Sequence, residues 1–297
     1  MGRDRLLRVG AASLGMLALS AVLQPVFAQN PAQILDSLRR RYQLPLVPST
    51  EVAATASRFA PGHNTSSQSA YGANFGDGFV GAGFTSRTRS GEHADGSAVA
   101  GFGLWNSRDY IGVEVSVFSF STVDEGFGQN GAFGLKLHRA LPGNLAVAIG
   151  GENLAGWGTL DAPKTYYGVV SKVWRLRQRE GDPFGSLTTN LGVGDGRFSP
   201  NFDSLTSTSQ RGSLGVFGSA GLRVHEKVTL IGDWGGQDLS LGVSVLPLRW
   251  VPLVITPAYA DVLHRDNHHG AFVLGVALGF KFAQVRNIFL PPQRYLT

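Results

Sequence analysis

Ile111-Gly112-Val113-Glu114-Val115-Ser116-Val117-Phe118 places branched aliphatic residues at alternate positions, with Gly, Glu and Ser between them. A period of two sends successive side chains to opposite faces of an extended chain, so the stretch reads as a strand with one apolar face. The same alternation recurs in Phe133-Gly134-Leu135-Lys136-Leu137-His138, in Leu145–Gly150, in Leu239–Val245 and from Phe272 to Phe282. Working outward gives twelve segments, near 77–85, 97–105, 110–120, 130–140, 144–153, 164–174, 186–194, 213–224, 228–235, 238–246, 252–262 and 271–282.

The connections narrow the architecture. Asn106-Ser107-Arg108, Leu141-Pro142-Gly143, His225-Glu226-Lys227 and Pro247-Leu248-Arg249 read as tight turns, and longer polar stretches at 86–96, 121–129, 154–163, 195–212 and 263–270 alternate with them. Short turns at one end and long loops at the other are the mark of an outer-membrane barrel. Two joints depart from it, since 175–185 is long and Gly236-Gln237 is short. In hydrocarbon every backbone polar group must be paired internally, which a closed sheet achieves. The expected fold is therefore all-β, a transmembrane antiparallel up-and-down barrel of about twelve strands over 77–282. Val115, Leu135 and Val147 are expected to face lipid. Trp105, Tyr110, Tyr166, Tyr167, Trp174, Trp234, Trp250 and Tyr259 lie near strand ends, where an interfacial aromatic girdle belongs. The many interior glycines suit a narrow lumen in which walls and any inserted segment approach closely. A soluble periplasmic or secreted β-sandwich that binds a ligand or partner is the competing reading, and a barrel enzyme the third.

The flanks carry other signals. Arg3, Arg5 and Arg8, the apolar run Ala11–Leu23 and Val26-Phe27-Ala28 have the order of a secretory signal peptide, with cleavage after Ala28. Its loss removes three Arg and one Asp, lowering the formal charge from +5 to +3. Residues 29–76 form a separate segment, with a short helix expected from Asn30-Pro31 through Arg39-Arg40-Arg41 and an apolar face of Ile34, Leu35, Leu38 and Tyr42. That helix would plug the barrel, lie at the headgroups or meet a periplasmic partner. After Pro45 the Ser/Thr/Ala-rich chain reads as a tether, and residues 283–297 as a C-terminal tail.

Composition excludes several classes. The 297 residues include no Cys, which removes disulfides, thiolate metal sites and a cysteine nucleophile. The balance of 26 Lys+Arg against 21 Asp+Glu has no dense basic run, so nucleic acid is not an expected partner. Barrel lipases carry a His-x-Ser pair, and none of the seven His has a Ser two residues on. There is no G-x-S-x-G elbow or Walker loop. Gly192-Val193-Gly194-Asp195-Gly196 reads as a strand end, and Asn64-Thr65-Ser66, a glycosylation sequon by pattern, carries no meaning in a bacterial barrel. His264-Arg265-Asp266-Asn267-His268-His269, with Asp261 nearby, has the donors for a divalent metal but reads better as a solvated loop. No catalytic residue, cofactor or resident metal is expected.

The charges on the small-residue face are the candidate functional residues: Glu114, Lys136, Glu152, Lys172, Arg223, Asp233 and Lys281. Counting from the hairpin turns sets Glu114 and Lys136 at about one height and Lys136 opposite Gly150, with Glu152 one diagonal step away. Either these three form an interior ion-pair ladder, or they are independently hydrated charges lining a wide pore.

Tyr166-Tyr167-Gly168-Val169-Val170-Ser171-Lys172, followed by Leu191–Gly194, and Ile231-Gly232-Asp233-Trp234-Gly235-Gly236-Gln237-Asp238-Leu239-Ser240-Leu241-Gly242 resemble the barrel proteins encoded with bacterial exopolysaccharide and capsule systems. Gly275–Phe282 resembles the terminal strand of outer-membrane barrels, although 15 residues follow it here. The resemblance implies an outer-membrane role in polysaccharide export or envelope assembly, with a periplasmic or polysaccharide-export partner. The barrel reading itself implies a porin-like transport or envelope-structural protein of the bacterial cell outer membrane, in contact with outer-membrane lipid. The resemblance assigns no catalytic residue.

Overall fold

A computed structural model describes residues 60–87, 94–120, 126–158, 163–178, 182–200, 213–248, 250–263 and 270–282. The leader, the helix expected near 30–42, the His264–His269 loop and the C-terminal tail lie outside the described residues. The strands are β1 (Asp77–Thr85), β2 (Asp95–Leu104), β3 (Gly112–Phe120), β4 (Asn130–Leu141), β5 (Leu145–Trp157), β6 (Thr165–Arg175), β7 (Ser186–Gly194), β8 (Gly215–His225), β9 (Val228–Trp234), β10 (Leu239–Val245), β11 (Leu253–Ala260) and β12 (Ala271–Lys281). Each pairs antiparallel with its chain neighbours, and β12 returns to pair with β1, Asp77 opposite Lys281. The result is one closed sheet of twelve strands, not a two-sheet sandwich.

Because β1 begins and β12 ends at the same rim, that rim also holds the short connections, Pro142–Asn144 and Glu226-Lys227 among them. We call it the turn rim and the opposite one the loop rim. Gly143 and Asn144 take positive φ of 78° and 57°, the left-handed region that these two residue types enter most readily. The ladders are interrupted by register shifts between Phe133 and Leu135, where the extra residues lie on β5, and between Arg223 and His225 of β8.

The alternation dictates two unlike faces. Leu191, Ile149 and Val216 are 66%, 62% and 56% exposed on the outer wall, whereas Asp233, Ser171 and Ser244 are fully buried inside. Val115, Leu135 and Val147 also stand outward, opposite Phe102, Gly151 and Val170 respectively. Inside, small residues leave room for chain. A Cβ on Gly103 would stand 2.3 Å from the backbone of Ala73, and one on Gly221 would stand 2.8 Å from Cβ of His63. Residues 60–76, read from sequence as part of a tether, therefore run within the barrel against its wall. The apolar core is internal too, formed by Ala70, Ala146, Ala148, Tyr167, Val169, Phe198 and Phe217.

Candidate functional site

The site is the lumen and the strap of residues 60–76 held in it. The strap starts near the turn rim, where the Gly62 N–H donates to Ser244 Oγ on β10 at 2.7 Å. It reaches the loop end of β9 at Thr65–Ser67, then crosses to β5, where Gln68 Nε2 donates to the Glu152 carboxylate. Descending, the Ala70 N–H donates to Ser171 Oγ (2.7 Å) and the Ala73 N–H to Glu114 Oε2 (2.8 Å). His138 Nε2 donates to the Ala73 carbonyl at 3.0 Å. Back at the turn rim, the Ser107 N–H donates to Asn74 Oδ1 (2.7 Å) and the Phe75 N–H to the Trp105 carbonyl (2.7 Å). Polar wall residues thus meet the backbone groups of a chain that has no sheet of its own, which is what burial of that backbone requires.

Asp233 is the strongest anchor. Its carboxylate accepts the successive N–H groups of Thr65 (2.7 Å), Ser66 (3.1 Å) and Ser67 (3.0 Å), together with the Ser66 and Ser67 hydroxyls at 2.9 and 3.0 Å. Three consecutive amides aimed at one anion form a nest, and hydrogen bonds to an ionised acceptor are about twice as strong as neutral ones. This arrangement makes a fully buried carboxylate tolerable although, among the described residues, no cation forms an ion pair with it.

Two ion pairs lie inside the lumen. Lys136 Nζ lies 3.1 Å from Glu114 Oε1 on the adjacent strand. Glu152 receives Arg197, with Nε 2.5 Å from Oε2 and Nη2 3.1 Å from Oε1, while Arg197 Nη1 donates to the Ser66 carbonyl at 2.7 Å. Arg197 belongs to the short helical turn Gly196–Phe198, which folds inward after β7. Burial alone would lower the pKa of its guanidinium, but the Glu152 carboxylate overrides this and raises it. Phe198 follows into the lumen, stacked on Phe217 at 3.9 Å and edge-on to Tyr167 at 6.2 Å. Strap and inward turn therefore clasp one another through Arg197 and Ser66.

The expected lumen charges divide accordingly. Glu114, Lys136, Glu152, Arg223 and Asp233 occupy inward register positions, and Lys281 pairs with Asp77 at 3.5 Å at the turn rim. The registers Glu114↔Lys136 and Lys136↔Gly150 are those counted from the turns. The three-charge ladder does not form, because Glu152 is taken by Arg197. Lys172 is a second correction: it sits opposite Leu145 on the outer wall with its ammonium 4.3 Å over the Trp174 ring. A long cationic side chain can lay its stem along an apolar wall and keep its charged head at the rim. Tyr167, assigned to the girdle, instead faces inward and is buried.

Sequence reasoning missed Arg197, His138 and the strap residues Thr65–Ser67. The run Asn64-Thr65-Ser66-Ser67 was the available signal, being rich in groups that cap anions, but without the fold nothing pointed it at Asp233. His63 Nε2 lies 3.1 Å from Ser69 Oγ, yet that hydroxyl continues at 3.4 Å to Ser171 Oγ and so to Asn190 and Ser219. The geometry ties strap to wall and leaves Ser69 buried. A cavity of about 210 Å³ remains beside the strap, bounded by Gln68, Glu114, Lys136 and Glu152 on one flank and Phe79 and Phe118 on the other. Among the described residues, no group of three His, Asp or Glu is placed to hold a metal.

No family model matches the chain, and no curated protein does either. The resemblance to exopolysaccharide-system barrels therefore finds no support there. Among solved structures, the chain is similar to the Acinetobacter baumannii outer membrane protein Omp33, at 9% identity and TM-score 0.36, over 71% of this chain and 100% of that one. It is also similar to the Yersinia pestis outer membrane protein Ail, at 14% identity and TM-score 0.19, over 69% of this chain and 99% of that one. Likeness this distant carries no argument about function, which rests on the geometry.

Proposed function

We propose that the chain is a bacterial outer-membrane barrel with an envelope-structural role, its lumen held closed by its own residues 60–76 and 196–199. The observation that carries this reading is the inverted polarity of the wall, with large apolar residues outward and every strongly anchored charge consumed inside by the strap or the inward turn. An apolar outer wall suits hydrocarbon, and the placement of both barrel ends at the turn rim suits a periplasmic turn rim. Passage of a solute, a polysaccharide included, requires the strap to leave the lumen. Planar-bilayer recording of the reconstituted full chain tests this. The wild-type barrel is expected to show no stable conductance steps, and Asp233→Ala, which frees the top of the strap, is expected to show them. Steady single-channel conductance from the wild type would overturn the closed-lumen reading in favour of a porin.

A further inference from the structure

Outside the lumen, the outer wall also carries a concavity. At the turn rim an open hollow of about 590 Å³ is lined by Trp105, Tyr110, Ile111 and Arg139. Arg139 sits opposite Val147, an outward position, two residues before the end of β4, so its guanidinium lies on the lipid side and near the rim. One of its N–H groups donates to the Tyr110 carbonyl. A guanidinium has five such donors, and among the described residues no carboxylate pairs with this one. A cation on an apolar wall at interfacial depth is stable when an anion meets it there. The surroundings are suited to that, since Trp105, Tyr110 and Ile111 are all well exposed around it. The same rim holds Lys172 over Trp174, and the carboxylate next in sequence to the hollow, Asp109, accepts from Asn106 Nδ2 at 2.6 Å.

We propose that this hollow is a specific site for an anionic glycerophospholipid in the leaflet that meets the turn rim. Its phosphate sits on Arg139, its glycerol region lies between Trp105 and Tyr110, and an acyl chain runs up the outer wall past Leu137. A free phosphate has no use for three exposed apolar side chains, and a zwitterionic lipid brings its own ammonium to compete with the guanidinium. The inference rests on the membrane reading given above.

Brominated phospholipids test both and tell them apart. The chain has five tryptophans, so variants retaining only Trp105, or only Trp157 at the loop rim as control, report local lipid. Each barrel is reconstituted in phosphatidylcholine, and brominated phosphatidylglycerol or brominated phosphatidylcholine is titrated in. One cationic contact at a membrane surface corresponds to about a fivefold preference. The Trp105 reporter is expected to prefer phosphatidylglycerol by that factor, with no preference at Trp157. Arg139→Gln should abolish the preference and Arg139→Lys should restore most of it, in barrels whose strand content by circular dichroism is unchanged. Equal quenching of Trp105 by both lipids, an equal preference at Trp157, or a preference that survives Arg139→Gln overturns the site. Absence of quenching by either lipid in the folded protein overturns the membrane reading itself.

Discussion

Asp233 shows how one residue organises the interior. It follows Gly232 on β9 and faces inward, where five groups of three consecutive strap residues converge on it within 3.1 Å. Removing the acceptor leaves three amides buried without partners, each carrying a desolvation cost. Asp233→Ala is expected to lower stability by about 2–4 kcal/mol in urea unfolding from phospholipid vesicles, followed by tryptophan fluorescence. Asp233→Asn keeps one acceptor oxygen and should cost about half as much. The two ion pairs make a sharper distinction. A double-mutant cycle between Glu152 and Arg197 should give about 1–3 kcal/mol of coupling, and one between Glu114 and Lys136 a similar value. The cycle between Glu152 and Lys136 should give a clearly smaller value, because those two act on each other only through space, with no ion pair between them. Strong coupling there, with weak coupling to Arg197, would restore the three-charge ladder.

The strands and the strap were legible to very different degrees. In β3 valines alternate with Glu114 and Ser116 from Val113 to Val117, so the outward face of that stretch follows from the sequence alone. Arg substitutions at Val115, Leu135 and Val147 should each cost about 2–4 kcal/mol if these positions lie at the bilayer midplane, and unchanged stability in all three would contradict the outward assignment. In β6 the doublets Tyr166-Tyr167 and Val169-Val170 place similar residues on both faces, so period two cannot say which face Lys172 takes. The register with Leu145 decides it. Lys172→Leu is therefore expected to leave the lumen intact and to change stability by less than about 1 kcal/mol, in contrast to Lys136→Leu, which strands Glu114. The strap was illegible for a physical reason. It has no periodicity, because its hydrogen bonds run to wall side chains instead of to a repeating ladder. A Ser/Thr-rich segment looks the same whether water or a barrel interior satisfies it. Arg197 was hidden for a related reason, since its partner lies 45 residues away and only barrel closure brings them together.

Across the whole molecule, a closed sheet turns its apolar face outward and packs its interior with its own preceding chain. The core that an ordinary domain places between layers is here the contact between wall, strap and inward turn, with Phe198 and Phe217 stacked at its centre. The most direct measurement is a disulfide between strap and wall. A Cβ at Gly62 would stand 3.7 Å from that of Ser244, close to the roughly 3.8 Å a disulfide adopts. The chain has no cysteine of its own, so Gly62→Cys with Ser244→Cys reports only this contact. Oxidation of the double variant in isolated outer membranes, followed by non-reducing denaturing electrophoresis, should convert nearly all of the chain to a faster-migrating looped form, while each single variant stays unchanged. A correctly folded barrel that forms no cross-link would contradict the strapped lumen.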